Sequence, residues 1–249
     1  MSPLRAPFGS FEISEQVSPS DFYSFELKME EELRNKKVHE IEILCPPELY
    51  TSNQPLITTT LVSQGYTINQ AESGCCIVVD DKPLFEKMFK DKRVKFQLGQ
   101  KAGLIFNTIP LTQLNNVYDF IEFFRKKLNR KLSMSGSELT HTIENLPESF
   151  FIVGVYLKDQ LAAACICIRV SPSIVYTFYS AHDDAIDQIS PRVFLLSHLY
   201  DLCYQNGVTL LDLGTSTLDG KPNFSLLDFK LRMGGTLTPK YRFQKLLNP

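Results

Sequence analysis

The chain has 249 residues, of which 43% are hydrophobic, so it can bury a substantial core as one large domain or two small ones. Lysine and arginine total 26 against 28 aspartate and glutamate residues, and the net charge of −2 gives no broad electrostatic reason to bind nucleic acid or an anionic membrane. An anionic ligand would need a local site. The sequence shows no signal-peptide pattern and no apolar stretch approaching the roughly 20 residues of a membrane helix, so we expect a cytoplasmic protein.

The first hundred residues predict alternating helices and strands. Apolar spacing, proline starts and glycine ends favour helices over 18–37 and 55–65, and alternation favours strands over 38–44 and 66–80, the last with a kink near 72–74. A single helix is expected over 82–101. Its basic residues are typical either of a solvated helix face or of a phosphate-binding surface built from Lys90, Lys92, Arg93 and Lys95.

The rest of the chain predicts a different order of elements. The segment 104–109 is interpreted as the boundary between lobes. Helices over about 111–130 and 137–146 follow it and precede three strands joined by tight turns, which indicate an antiparallel meander over 151–180. A helix, a strand, a helix and a strand then follow over 191–207, 208–213, 224–234 and 237–246. The six cysteines show no C-x-x-C spacing and lie mostly in apolar runs, so we expect buried, reduced thiols and no metal site.

The two ends of the chain contain a possible internal repeat. Aligning Ser18-Pro19 with Ser190-Pro191 and then making a two-residue adjustment brings Val38 onto Val208 and Gly65 onto Gly235. Only the second copy is preceded by helices and a meander. We therefore expect a partial lobe over 1–103 and a complete lobe over 104–249. A partial lobe would leave an unpaired sheet edge, which makes a homodimer possible.

This order of elements resembles the GNAT acetyltransferase fold, an α/β fold of the α+β type, and two such lobes resemble the FemAB-type aminoacyltransferases of bacterial cell-wall synthesis. The motifs that carry the resemblance are 211–216, Leu-Asp-Leu-Gly-Thr-Ser, and 223–235, which contains Phe229-Lys230 and ends in two glycines. The resemblance implies an opening between the fourth and fifth strands that receives an acyl carrier. It also implies transfer of an acyl or aminoacyl group from acyl-CoA or aminoacyl-tRNA to an amine of a small molecule or peptidoglycan-precursor-like acceptor.

One segment departs from the coenzyme A-binding pattern. Residues 181–190, where those members carry a glycine-rich loop that holds the pyrophosphate, contain no glycine and three aspartates. We expect these acids to disfavour coenzyme A. FemAB-type proteins also tend to lack the loop because their donor is an aminoacyl-tRNA, although a tRNA user would be expected to show a strongly basic surface.

The candidate site residues follow from these motifs. The resemblance places Lys230 where a lysine holds a phosphate or carboxylate, although a lysine near a helix end can equally be a dipole partner. Asp212 is a candidate to accept the amine proton, or alternatively to cap the following loop. Candidates for substrate binding are Arg169, Tyr179, His182, Ser216, Asn223 and Arg5. The sequence thus predicts a transferase, with a non-catalytic binding protein of the same fold as the alternative.

Overall fold

The computed structural model describes residues 7–218 and 221–247, and its contacts divide the chain into two units. Unit 1 combines the segments Met1–Gly74, Thr215–Asn223 and Leu237–Pro249. Unit 2 combines Cys75–Gly214 and Phe224–Thr236. The expected lobes, 1–103 and 104–249, divide the chain at a different place, and they remain a prediction.

The helices begin where the sequence supplies caps and prolines. Ser18 caps the first helix, Pro191 lies at the start of the seventh, and Ser135 and Glu138 form a capping box at the sixth. The helices are α1 (Pro19–Asn35), α2 (Gln54–Ser63), α3 (Leu84–Lys87), α4 (Lys90–Lys101), α5 (Leu114–Lys127), α6 (Gly136–Asn145), α7 (Pro191–Gln205) and α8 (Phe224–Arg232).

The strands agree closely with the apolar alternation of the sequence, apart from strand β3 and a short hairpin, β8–β9, that the alternation did not predict. They are β1 (Glu40–Leu44), β2 (Thr67–Val78), β3 (Ile105–Ile109), β4 (Phe150–Leu157), β5 (Gln160–Ser171), β6 (Ile174–His182), β7 (Leu210–Thr215), β8 (Thr217–Leu218), β9 (Lys221–Pro222) and β10 (Thr236–Leu246).

Unit 2 is built around a mixed sheet. Its strands lie in the order β2–β7–β6–β5–β4–β3, where β2 contributes its final residues. Strands β3 to β6 pair antiparallel, and β6 pairs with β7 in parallel. One apolar cluster packs the sheet against α7 through Leu199 and Val153, and a second packs it against α5 and α6 through Ile121 and Leu139. The predicted meander and the GNAT-like α/β fold are confirmed.

Unit 1 has its own core and strand order, β1–β10–β2. Strands β1 and β10 pair antiparallel from Glu40 opposite Leu246 to Leu44 opposite Arg242. Phe22 of α1 and Ile57 of α2 are buried beside Phe243 of β10, so the two helices cover this sheet.

One predicted helix is wrong in its extent. The segment 82–101 forms two helices, α3 and α4, because Phe89 has an extended backbone and its N–H donates to the carbonyl oxygen of Arg232 at 2.9 Å. The segment 184–189, expected as a loop, forms a short 3-10 helix. None of the helices in the described ranges is long and apolar enough to span a bilayer.

Candidate active site

Strands β6 and β7 pair only at their beginnings. Three successive pairs, from Ile174 opposite Leu210 to Tyr176 opposite Asp212, form the ladder, and the hydroxyl of Thr177 donates to the carbonyl oxygen of Asp212 at 3.0 Å. Beyond this point β6 continues to His182 and β7 continues to Thr215, but the two strands do not pair further with each other. The opening implied by the resemblance is therefore present in unit 2.

Lys230 and Asp212 lie together at this opening. The Nζ of Lys230 donates to the carbonyl oxygen of Gly214 at 2.8 Å, and the N–H of Gly214 donates to Oδ1 of Asp212 at 2.6 Å. Gly214 has a φ of 74°, and a Cβ there would lie 3.3 Å from the ring of Tyr176. A glycine is therefore needed to present both backbone groups to the two side chains.

Both charged side chains are buried, Asp212 with 3% and Lys230 with 4% of its surface exposed. Burial lowers the pKa of Lys230 to about 8, although the charges of Cys75 and Asp212 oppose this change. Burial raises the pKa of Cys75 to about 11, so its thiol is protonated at neutral pH. Lys230 is thus a buried ammonium that can release its proton near neutral pH.

Asp212 is held by two donors. Besides the N–H of Gly214, the thiol of Cys76 donates to its carboxylate, and burial together with this carboxylate raises the pKa of Cys76. The structure therefore contains the capping interaction that was the alternative to a proton-accepting role. Within the described ranges, no group of three or more His, Cys, Asp or Glu side chains is arranged to hold a metal ion.

His182 is the last residue of β6, and Arg192 lies in the first turn of α7. The guanidinium of Arg192 lies 3.4 Å from the ring centre of Phe229, the residue before Lys230. Nε2 of His182 lies 3.3 Å from Oδ1 of Asp187, and burial and the charge of Arg192 lower the pKa of His182. Because Arg192 also lowers the pKa of Lys230, these three side chains form one electrostatic cluster.

Tyr179 and Arg169 do not join this cluster by any contact within the described residues. The hydroxyl of Tyr179 accepts from the N–H of Met134 at 3.0 Å and contacts Ser133, so it holds the loop before α6. Arg169 of β5 pairs with Val175 of β6, and its positive charge acts to lower the pKa of the Cys203 thiol. A role in substrate binding therefore stays a prediction for both residues.

Three candidates lie outside the unit that contains Lys230. Ser216 and Asn223 belong to unit 1, where the N–H of Asn223 donates to the carbonyl oxygen of Ser216 at 2.7 Å and closes the β8–β9 hairpin. Ser216 is 1% exposed. Arg5 lies outside the described residues.

The basic segment around α4 does not form the alternative phosphate-binding surface. Lys92 pairs with Asp91 at 3.2 Å and lies over the ring of Phe229, whereas Arg93 lies over Phe85. Lys90 and Lys95 line an open groove of about 720 Å³ together with exposed apolar side chains. The four basic residues therefore do not converge.

Sequence reasoning missed Arg192, Gly214 and Tyr176. Arg192 follows the proline that begins α7, so its place in the first turn could have been inferred. Its stacking on Phe229 could not, since that contact joins residues 37 positions apart in sequence, at 192 and 229.

The family comparison agrees with this geometry. Residues 110–225 match the family described as "Acetyltransferase (GNAT) domain". This segment of the chain is therefore similar to GNAT acetyltransferase domains. The matched segment contains the helices α5, α6 and α7, the meander β4–β6 and strand β7, so it includes both strands of the opening. A comparison with curated protein sequences gives no significant match.

Solved structures share the GNAT-like fold across nearly the whole chain. The structure of FemX is similar with a TM-score of 0.75 at 12% identity, over 93% of this chain and 78% of FemX. The C-terminal domain of a protein assigned as a lysylphosphatidylglycerol synthetase from Agrobacterium fabrum has a TM-score of 0.62 at 13% identity, over 93% and 75% of the two chains. L-PGS from Bacillus licheniformis has a TM-score of 0.62 at 13% identity, over 94% and 75%. At these identities the similarity establishes the fold.

Proposed function

We propose that the chain is an N-acyltransferase that joins an activated acyl or aminoacyl group to an amine at the opening between β6 and β7. The observation that carries this proposal is the buried ammonium of Lys230, bonded to Gly214 where the strands separate. Burying a lysine is costly, so a site that retains one has a use for its charge or its proton.

The reaction requires a proton donor and a proton acceptor. The amine attacks the acyl carbonyl, a C–N bond forms, and the bond to the sulfur or oxygen of the donor breaks, while the amine loses a proton and the leaving group gains one. Lys230, with a pKa of about 8, is mostly protonated at neutral pH and can stabilise the negative oxygen of the intermediate or protonate the leaving group.

Asp212 is the second candidate. Its carboxylate can take the proton of the amine directly or through water, as the sequence suggested. The hydrogen bonds from Gly214 and Cys76 support a positioning role instead, in which Asp212 fixes the backbone that Lys230 contacts.

The resemblance to GNAT and FemAB-type proteins supports particular classes of donor and acceptor. GNAT proteins generally use acyl-CoA, and the FemAB-type resemblance extends the choice to aminoacyl-tRNA, with a peptidoglycan-precursor-like amine as one acceptor class. A non-catalytic binding protein is the competing function, and the capped state of Asp212 and the missing glycine-rich loop favour it.

The test is group transfer by the purified full chain. Labelled acetyl-CoA and aminoacyl-tRNA are each incubated with a panel of amines, and product is compared between wild type, Lys230→Ala, Asp212→Asn and the exposed control Lys101→Ala. We expect Lys230→Ala to lower kcat/KM about 100-fold or more and the control to leave it unchanged.

Asp212→Asn separates the two roles of Asp212. A base would be lost at every pH, whereas a positioning residue would keep the pH profile with a lower rate. Full activity in Lys230→Ala would contradict the proposed mechanism, and absence of transfer from every donor would favour the binding protein.

A further inference from the structure

The last turns of α5 and the segment that follows them carry a local excess of positive charge. Residues 123–137 contain five basic side chains and no acidic one, although the whole chain has a net charge of −2. The side chains of Lys126, Lys127 and Lys131 are exposed. Because the net charge gives no general attraction for anions, any such attraction must be local, and this segment supplies it.

Apolar side chains lie beside these lysines and are open to solvent. Phe123 is 57% exposed and Leu128 is 58% exposed. Helix α5 buries a different side, which contains Ile121, and a step of two residues places Phe123 about 200° around the helix from it. The helix therefore has one apolar side against the core and a second apolar side that faces solvent.

The exposed rings and the lysines form one continuous surface. The ring centres of Phe120 and Phe124 are 4.8 Å apart, and those of Phe123 and Phe124 are 5.1 Å apart. The Nζ of Lys127 lies 5.0 Å from the ring centre of Phe123 and 4.9 Å from that of Phe124. Leu128 follows Phe124 by four residues, so it lies one turn further along the same side. The α5 surface comprises Phe123, Lys126, Lys127, Leu128 and Lys131.

Little of the charge on the α5 surface is neutralised within the protein. Lys126 pairs with Glu122 at 2.8 Å and Lys127 pairs with Asp184 at 3.2 Å, and exposed ion pairs of this kind are weak. Across residues 7–218 and 221–247, Lys131 forms no ion pair. The surface is therefore available to an anionic partner.

The turn after α5 is held in place, so it presents Lys131 in a defined position. The φ of 53° at Asn129 reverses the chain at the end of the helix. The hydroxyl of Tyr118 then donates to the carbonyl oxygen of Met134 at 2.9 Å, and the hydroxyl of Tyr179 accepts from the N–H of Met134 at 3.0 Å. Little ordering of this segment is needed when a partner binds.

We propose that the α5 surface docks the protein on an anionic lipid membrane. Phe123 and Leu128 enter the boundary between headgroups and acyl chains, while the three lysines lie at the level of the anionic headgroups. The exposed leucine favours a membrane over RNA, because leucine has no ring to stack on a base. A second copy of the chain is disfavoured, because two such surfaces would bring like charges together. Docking does not depend on the proposed group transfer.

Sedimentation of the full chain with vesicles tests the charge of the α5 surface. Vesicles of phosphatidylcholine alone are compared with vesicles of equimolar phosphatidylcholine and phosphatidylglycerol. We expect binding to the anionic vesicles only, and we expect salt to weaken it. Lys126→Gln combined with Lys131→Gln should weaken binding about tenfold or more. The control combines Lys90→Gln with Lys101→Gln, which removes two exposed charges from α4 and should weaken binding about twofold or less.

A fluorescent reporter tests the apolar part of the α5 surface. The chain has no tryptophan, so Phe123→Trp introduces a single one. Its emission should shift to shorter wavelength on anionic vesicles, and brominated lipids should quench it. Phe89→Trp is the matched control, because Phe89 is 54% exposed, and it should show neither change. Phe123→Ser should weaken vesicle binding about tenfold. Thermal unfolding of each variant confirms that it is folded.

Four results would overturn the docking surface. A wild-type chain that does not bind anionic vesicles is the first, and an equal loss of binding in the α4 control is the second, since vesicles would then respond to overall charge. The third is a dimer in solution that Phe123→Ser dissociates, because a second copy would then cover the surface. The fourth is a short RNA duplex that displaces the vesicles and loses affinity with the same lysine substitutions.

Failure of the docking surface and failure of the proposed function are distinguishable. A chain that docks without transferring any group would contradict the proposed function and leave the docking surface standing. Group transfer by a chain that does not bind anionic vesicles would do the reverse.

Discussion

Lys230 shows how one residue connects stability with chemistry. Its neighbours in the sequence gave two interpretations, a phosphate-holding lysine or a partner of the helix dipole. The structure shows an ammonium that is 4% exposed and bonded to the carbonyl oxygen of Gly214. A dipole partner would stay in solvent, so the buried position favours a function.

This burial predicts a pH-dependent stability. The pKa of Lys230 is about 8 in the folded chain and has the ordinary value of 10.5 when unfolded, so between these values the unfolded chain binds more protons. The cost of burying the charge is complete below pH 8 and disappears as the pH rises towards 10.5. We expect Lys230→Met to raise the free energy of unfolding by about 1–3 kcal/mol at pH 7, and this gain to shrink by pH 10.

Urea denaturation at both pH values measures the effect. Lys101→Met, on an exposed position of α4, serves as the control and should show no such pH dependence. A gain that is equal at pH 7 and pH 10 would mean that the pKa of Lys230 does not differ between the folded and the unfolded chain.

Side-chain direction limited what could be predicted about individual site residues. Asp212 and Lys230 came from motifs and do lie together. Between β5 and β6 the register shifts at Ile166 and Cys167 of β5, so that Tyr179 pairs with Ile166 and Thr177 with Cys167. This bulge changes which side chains share a face, and no local pattern in the sequence announces it.

At the scale of elements, most helices and strands could be predicted because their caps, prolines and alternation are local. The helix over 82–101 failed because Phe89 bonds to Arg232, a partner that is distant in sequence. The two units divide the chain differently from the expected lobes, which stay a prediction. Strand β10 pairs with β1 in unit 1, while the end of β2 lies beside β7 in unit 2, so the two halves of the possible repeat exchange strands.

Two consecutive glycines, Gly234 and Gly235, follow α8 and determine how the helix ends. Gly234 has the positive φ, 91°, that ends the helix, whereas the alignment of the repeat had paired Gly235 with Gly65, whose φ is 89°. A Cβ on Gly235 would lie 2.4 Å from Sγ of Cys75 and 2.8 Å from the carbonyl oxygen of Lys230. Gly235→Ala must therefore move the end of α8 that carries Lys230.

We expect Gly235→Ala to lower the free energy of unfolding by about 2–3 kcal/mol. Gly207→Ala is the control, since its φ of 71° costs about 1 kcal/mol and its Cβ meets nothing within 4 Å. Adding Cys75→Ala should recover part of the loss, and a double-mutant cycle measures the coupling. Simple addition of the two effects would show that the helix end adjusts without contacting Cys75.

At the scale of the whole chain, a second buried charge acts on stability in the opposite pH range. Glu26 in unit 1 is 0% exposed, and burial raises its pKa to about 7, although the nearby hydroxyl of Tyr66 acts to lower it. Its neighbour Glu30 is paired with Arg34 at 2.6 Å and with Lys245, so the available positive charge goes to Glu30.

Between the ordinary pKa of 4.5 and about 7, folded Glu26 keeps a proton that the unfolded chain has lost, so its contribution to stability falls as the pH rises through this range. Lys230 begins to relieve its cost only above pH 8. The two groups together therefore place the largest electrostatic cost of folding between pH 7 and 8.

Glu26→Gln removes the acidic half of this cost. We expect it to raise the free energy of unfolding by about 1–3 kcal/mol at pH 7.5 and to change it little at pH 4.5, where Glu26 already retains its proton in the folded chain. Glu31→Gln, an exposed position on the same helix, controls for the general loss of a negative charge. Urea denaturation at the two pH values gives the comparison, and an equal effect of both substitutions would show that the carboxyl of Glu26 reaches solvent and carries no burial cost.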